Sequence, residues 1–183
     1  MEHAVETNCI VIEKAEEHGV RSYIFSPCIV YGKGEGFGNK VSIQTVCVVK
    51  AAKALRKVYK VDEGRPELLR KILAGENPGY GKNGYYLASP GSVAWDDLYG
   101  AMGTALLKHK LVDDDTVIPA SEENVEAMAA ALGVPKEFVG VSLGGLCTFT
   151  AEHGKQIGWT PQFAAEHILE TAHEEVDWIL QNL

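Results

Sequence analysis

The first 27 residues constrain the fold of this chain more than any other segment. From about Glu2 to His18, Val5, Cys9, Ile12 and Ala15/Ala16 recur at helical spacing with charged residues between them. Gly19 is a natural stop, and His18 lies in the last turn, where the helix dipole favours positive charge. The stretch Arg21-Ser22-Tyr23-Ile24-Phe25-Ser26 is rich in aromatic and β-branched residues, ends at Pro27, and predicts a strand buried on both faces. Helix, tight glycine and buried strand form the second half of a β-α-β unit. The first strand is missing, so the expectation is a chain that begins in the middle of a fold.

Downstream the pattern is mainly helical. Helices are predicted over 42–56, 95–110 and 122–132, with Ser121 as N-cap and Glu122 and Glu123 in the first turn. A short helix from Pro66 to Ala74 follows the turn at Asp62-Glu63-Gly64-Arg65-Pro66, and a last helix spans about Pro161 to Leu183. Short strands are expected at 58–61 and 85–87, so the few strands all lie near the first half. Asp113-Asp114-Asp115 reads as a solvated turn. At 183 residues the chain is long enough to bury roughly 70% of its unfolded surface in one core, and a single domain over 1–183 is expected.

Charge and cysteine usage exclude several partners. With 25 acidic and 17 basic residues the net charge is −8, which argues against DNA, RNA or anionic lipid. No apolar run approaches the roughly 20 residues of a membrane span, and the acidic start Met1–Glu6 lacks a signal-peptide layout. Cys9, Cys28, Cys47 and Cys147 form no Cys-x-x-Cys and read as buried reduced thiols of a cytoplasmic protein.

Three motifs bear on chemistry. Gly32-Lys33-Gly34-Glu35-Gly36-Phe37-Gly38-Asn39 is glycine-dense, but Phe37 and Asn39 occupy the sixth position in its two G-x-G-x-x-G registers, and Lys40 sits in no P-loop pattern. It reads as a tight strand-to-helix turn that can still offer N–H groups to an anion. Gly140-Val141-Ser142-Leu143-Gly144 matches the G-x-S-x-G nucleophile elbow of serine hydrolases, although the eighty residues before it lack the required parallel sheet. Glu170, His173, Glu174 and Asp177 share one face of the last helix. One helix supplies at most half of a carboxylate-bridged site, so a solvated charged face without metal is expected.

The stretch Gly19-Val20-Arg21-Ser22-Tyr23-Ile24-Phe25-Ser26-Pro27-Cys28-Ile29-Val30-Tyr31-Gly32 resembles the late Rossmann strand of extended or atypical short-chain dehydrogenases, the NAD-dependent epimerase/dehydratase group and its NmrA-like relatives. The resemblance continues through Gly36-Phe37-Gly38-Asn39, Gly84-Tyr85-Tyr86-Leu87, Ser92–Leu98 and Gly158-Trp159-Thr160-Pro161. It spans nearly the whole chain but only the C-terminal half of such a protein. It implies a helix-rich α/β fold: an incomplete Rossmann-like sheet of few strands over 1–65, and a mainly helical substrate region over 66–183.

The departures are specific. The family's glycine fingerprint and ribose reader would precede Met1. Its Tyr-x-x-x-Lys pair is absent, because Pro27, Glu35, Glu63, Gly84, Ser89, Pro90 and Gly103 stand four places after the seven tyrosines. No cofactor is therefore expected, NAD(P) entering only if the missing half is supplied elsewhere. The leading expectation is a truncated member that binds a small, partly apolar metabolite and, if catalytic, promotes a non-redox isomerisation, cyclisation or elimination. Cys28, Tyr31 and Asn39 are the first candidates to line its pocket, followed by Trp95, His153 and Trp159; catalytic residues are not assigned. The alternatives are a non-catalytic partner subunit (a homodimer, or paired with a complete homologue through the strand Tyr23 to Phe25), a partial record of an ordinary oxidoreductase, and a serine hydrolase.

Overall fold

The computed structural model describes residues 2–27, 29–61, 79–88, 90–145, 151–156 and 160–183. The fold is α/β and rich in helix, with two small parallel sheets of two strands each. Contacts divide the chain into two interleaved units. Unit 1 comprises residues 1–28, 67–91 and 149–163, and unit 2 comprises 29–66, 92–148 and 164–183.

Unit 1 contains α1 (Glu2–Glu17), β1 (Ile24–Pro27), β3 (Tyr85–Ala88) and α6 (Glu152–Gln156). Strands β1 and β3 run parallel, with Ile24 opposite Tyr85 and Phe25 opposite Tyr86. A turn at Gly81–Asn83 leads into β3, and the Gly81 N–H donates to Ser22 O at 3.0 Å. Gly84 is obligatory there, since a Cβ would stand 2.6 Å from Ser22 O. The strand expected over Arg21–Ser26 forms late and is not buried on both faces, because Phe25 is 40% exposed. Cys9 is exposed on α1, contrary to the expected buried thiol.

Unit 2 holds the main core, built from α2 (Ile43–Leu55), β2 (Tyr59–Lys60), α3 (Trp95–Lys108), β4 (Ile118–Pro119), α4 (Glu122–Leu132), α5 (Val139–Leu143), α7 (His167–Glu170) and α8 (Ala172–Asn182). In α3, Trp95, Leu98, Tyr99, Met102, Ala105 and Leu106 recur every three or four residues and are all buried. The start of α4 is a full capping box: the Asn124 N–H donates to Ser121 Oγ at 3.2 Å and the Ser121 N–H to Asn124 Oδ1 at 3.0 Å. Gly133 closes α4 in the left-handed region at φ 68°.

Three expectations are corrected in unit 2. Strand β4 pairs with β2 in parallel, Tyr59 opposite Ile118, so strands are not confined to the first half. Its two residues are too short for any alternation to register. The last helix is broken at Thr171, whose hydroxyl donates to His167 O at 2.7 Å. The aspartate run at 113–115 is paired rather than merely solvated: Arg56 Nε donates to Asp113 Oδ1 at 2.9 Å, and Lys57 pairs with Asp114.

Hydrogen bonds from Lys57 and Thr116 pull the Asp114 carboxyl down to about 2. A depressed carboxyl stabilises the fold above the ordinary value near ~3.9, and that contribution is lost as pH falls through the folded value. A carbon-13 NMR titration should therefore show Asp114 titrating near pH 2. Titration at the ordinary value would mean that the Lys57 pair does not form in solution. The helix expected over 66–74 lies outside the described residues.

Candidate functional site

The candidate site lies in unit 2, where the glycine-dense loop 32–40 is held by the C-terminal helices. Helix α8 has an apolar stripe of Ala172, Val176 and Ile179, and Glu175 falls within that stripe at 4% exposure. Its carboxylate accepts two hydrogen bonds. The Gly32 N–H donates to Oε2 at 2.7 Å, and the Thr45 hydroxyl donates to Oε1 at 2.6 Å. Gly32 has φ 93°, a conformation that glycine supplies without steric cost. Thr45 belongs to the first turn of α2, so the acidic group near that helix start is the chain's own.

The rest of the loop is held in the same way. The Gly34 N–H donates to Lys40 O at 3.0 Å, closing the loop. Trp178 Nε1 donates to Lys40 O at 2.7 Å, and the Lys33 ammonium lies 5.0 Å from the centre of the same indole. At the tip, between Gly36 and Gly38, Phe37 is fully exposed. The loop is therefore a tethered platform with an aromatic tip.

Tyr31 stands at the entrance to this loop, half-buried. Its hydroxyl is hydrogen-bonded to the Thr171 side chain, and its ring lies 6.5 Å from that of His167. Burial raises the phenol above its ordinary value; the Thr171 hydrogen bond opposes this, and the nearby Glu175 and Glu170 charges add to it. Across the neutral range Tyr31 is a protonated phenol, able to give or accept a hydrogen bond. His167 also faces Glu170, at 3.3 Å from Nδ1 to the carboxylate.

The sequence candidates fall in different places. Tyr31 and the exposed Asn39 both belong to the loop region of unit 2. Trp95 is a core residue at 3% exposure, and its Nε1 donates to Gly145 O at 2.8 Å. His153 belongs to unit 1, where its ring stacks on Tyr86 at 4.3 Å and its Nδ1 lies 3.1 Å from Tyr85 O. Cys28 and Trp159 lie outside the described residues, as does Cys147. Ser142 sits within the short helix α5, entered from a turn of 3₁₀ helix rather than from a strand, which is not an elbow geometry. Cys47 is half-buried in α2, where burial raises its thiol and makes it a poor nucleophile.

Sequence reasoning passed over Glu175 and Thr171. A signal existed for Glu175, since a carboxylate three residues after Ala172 and four before Ile179 sits in an apolar stripe. It also treated residues 170–177 as one face. The break at Thr171 puts Glu170 on α7, whereas His173 and Asp177 remain together on α8 and meet His109 from the end of α3. Among the described residues, no helix is long and apolar enough to cross a membrane. Comparison of the chain with protein-family models, curated proteins and solved structures finds no match.

Proposed function

We propose that this chain binds a small, partly apolar metabolite at the glycine loop and C-terminal helices of unit 2, and that it is related to the substrate-binding part of the short-chain dehydrogenases. The carrying observation is the Glu175 carboxylate, which takes the Gly32 N–H and the Thr45 hydroxyl. A loop waiting for a phosphate would leave its first N–H groups free; here that position is met by the protein's own anion. What remains available is a neutral phenol at Tyr31, the amide of Asn39 and the exposed ring of Phe37. These groups suit a ligand with one oxygen to hold and an apolar ring or chain to cover. A non-redox step such as isomerisation or elimination is part of the proposal, with Tyr31 holding the ligand oxygen.

A second reading rests on unit 1. Among the described residues the β1–β3 sheet has two parallel strands, and parallel sheets are normally covered on both faces. Phe25, Tyr85 and, on α1, Val5, Ile10 and Val11 are exposed around it. On this reading a second copy of the chain covers these groups.

One thermal-shift experiment separates the two. The chain is titrated with a panel of small cyclic ketones and phenols, and with NADH and NADPH, at several protein concentrations. The proposal expects a panel compound to stabilise the protein and Tyr31→Phe to weaken that binding roughly three- to tenfold, the worth of one hydrogen bond. Unchanged binding by Tyr31→Phe would remove Tyr31 from the site, and tight NADH binding would overturn the reading of the pocket as one for a metabolite without a dinucleotide. Stability that rises with protein concentration and ignores every compound favours the assembly reading.

A further inference from the structure

The geometry points to a divalent transition-metal site on unit 2, formed by His109, His173 and Asp177 and suited to Zn²⁺. Each offers one ligand atom, and these atoms lie within 4.8 Å of one another. His173 and Asp177 are four residues apart on α8, so they stand one above the other on the same flank of the helix. His109 follows the last turn of α3 and reaches Asp177, with Nε2 2.5 Å from Oδ1. The two imidazole rings lie 6.1 Å apart at 49°.

The chemistry of this donor set is selective. Two imidazole nitrogens and one carboxylate oxygen match a borderline cation, whereas Ca²⁺ and Mg²⁺ prefer all-oxygen shells. In tetrahedral coordination, ligand atoms about 2.0–2.1 Å from zinc stand about 3.3 Å from each other. The His109–Asp177 pair thus needs to open by about 0.8 Å and the longer separations to close by at most about 1.5 Å, which side chains at the surface achieve by rotation within their wells. The metal displaces the hydrogen bond between His109 and Asp177, water fills the fourth position, and the chain as a whole, at a net charge of −8, suits a cation. A bound ion would clamp the end of α3 to α8, tightening the core of unit 2.

A bare surface ion pair between His109 and Asp177 would use neither His173 nor a metal, and the test exploits that difference. The full chain, freed of metal by chelation, is titrated with ZnCl₂ by calorimetry and with CoCl₂ by visible absorbance. We expect one equivalent of Zn²⁺ and a tetrahedral Co²⁺ spectrum, with a rise in melting temperature on adding Zn²⁺. His173→Ala, an exposed position that leaves the His109–Asp177 pair intact, should weaken binding at least about tenfold, as should Asp177→Asn. His3→Ala and Cys9→Ser, two other exposed potential ligands, should leave it unchanged. Binding that survives His173→Ala, or is lost instead in Cys9→Ser, overturns the site, as does a wild-type titration with no Zn²⁺ bound. Circular dichroism of each variant shows whether loss of binding reflects loss of fold.

Discussion

Glu175→Ala is expected to destabilise unit 2 by about 2–4 kcal/mol, one of the two largest single-residue effects anticipated. The substitution deletes the acceptor of two donors, the Gly32 N–H at 2.7 Å and the Thr45 hydroxyl at 2.6 Å, and opens a void inside the α8 stripe. A buried donor left without a partner costs more than an average hydrogen bond contributes, because its hydration was already given up. Glu175→Gln should fall between the two forms: its amide oxygen can accept from the Gly32 N–H and its NH₂ can donate to the Thr45 hydroxyl, but both bonds lose the carboxylate's charge. Urea unfolding followed by tryptophan fluorescence measures the loss, and amide exchange at Gly32 should accelerate in both variants. Combined with Thr45→Val, the effect should be less than additive, since the second substitution removes a donor that the first has orphaned. A loss below about 0.5 kcal/mol for Glu175→Ala would mean that the carboxylate is not the tether of the loop.

Leu106→Ala is the second. Leu106 is wholly buried on the α3 face that also carries Leu98, Met102 and Ala105. Removing a fully buried leucine side chain costs about 2–5 kcal/mol, the transfer term plus the cavity left behind. Leu106→Met keeps the volume and should cost under about 1.5 kcal/mol. The chemical-denaturation midpoint should fall for alanine with an unchanged slope, and little for methionine. Equal effects of the two would mean that packing around α3 is loose enough to collapse onto the gap.

Much of the local structure was legible from residue types. Ser121 caps α4 where expected, because capping is settled between residues three positions apart. Helix α3 falls within the span expected for it, and β1 is signalled by its aromatic and β-branched run, although it forms later and is more exposed than expected. The strand β4 and the break at Thr171 were not legible. The first depends on pairing with a segment 59 residues earlier, the second on one hydroxyl turning back to His167 O. The glycine loop was legible as a turn, but its anchor was not.

By itself the sequence determined that the chain is acidic, where the helices α2, α3 and α4 run, that Ser121 caps α4, and that the loop 32–40 bends at glycines. Only the tertiary structure decided that Glu175 meets Gly32 across 143 positions, that His109 meets Asp177 across 68, and that Trp95 goes to the core. The physical reason is range. Helix periodicity, caps and turns are settled by forces acting over a few residues, so they are written in adjacent letters. A cluster of donors and carboxylates exists only once burial has driven distant helices together, and its members carry no mark of one another until then.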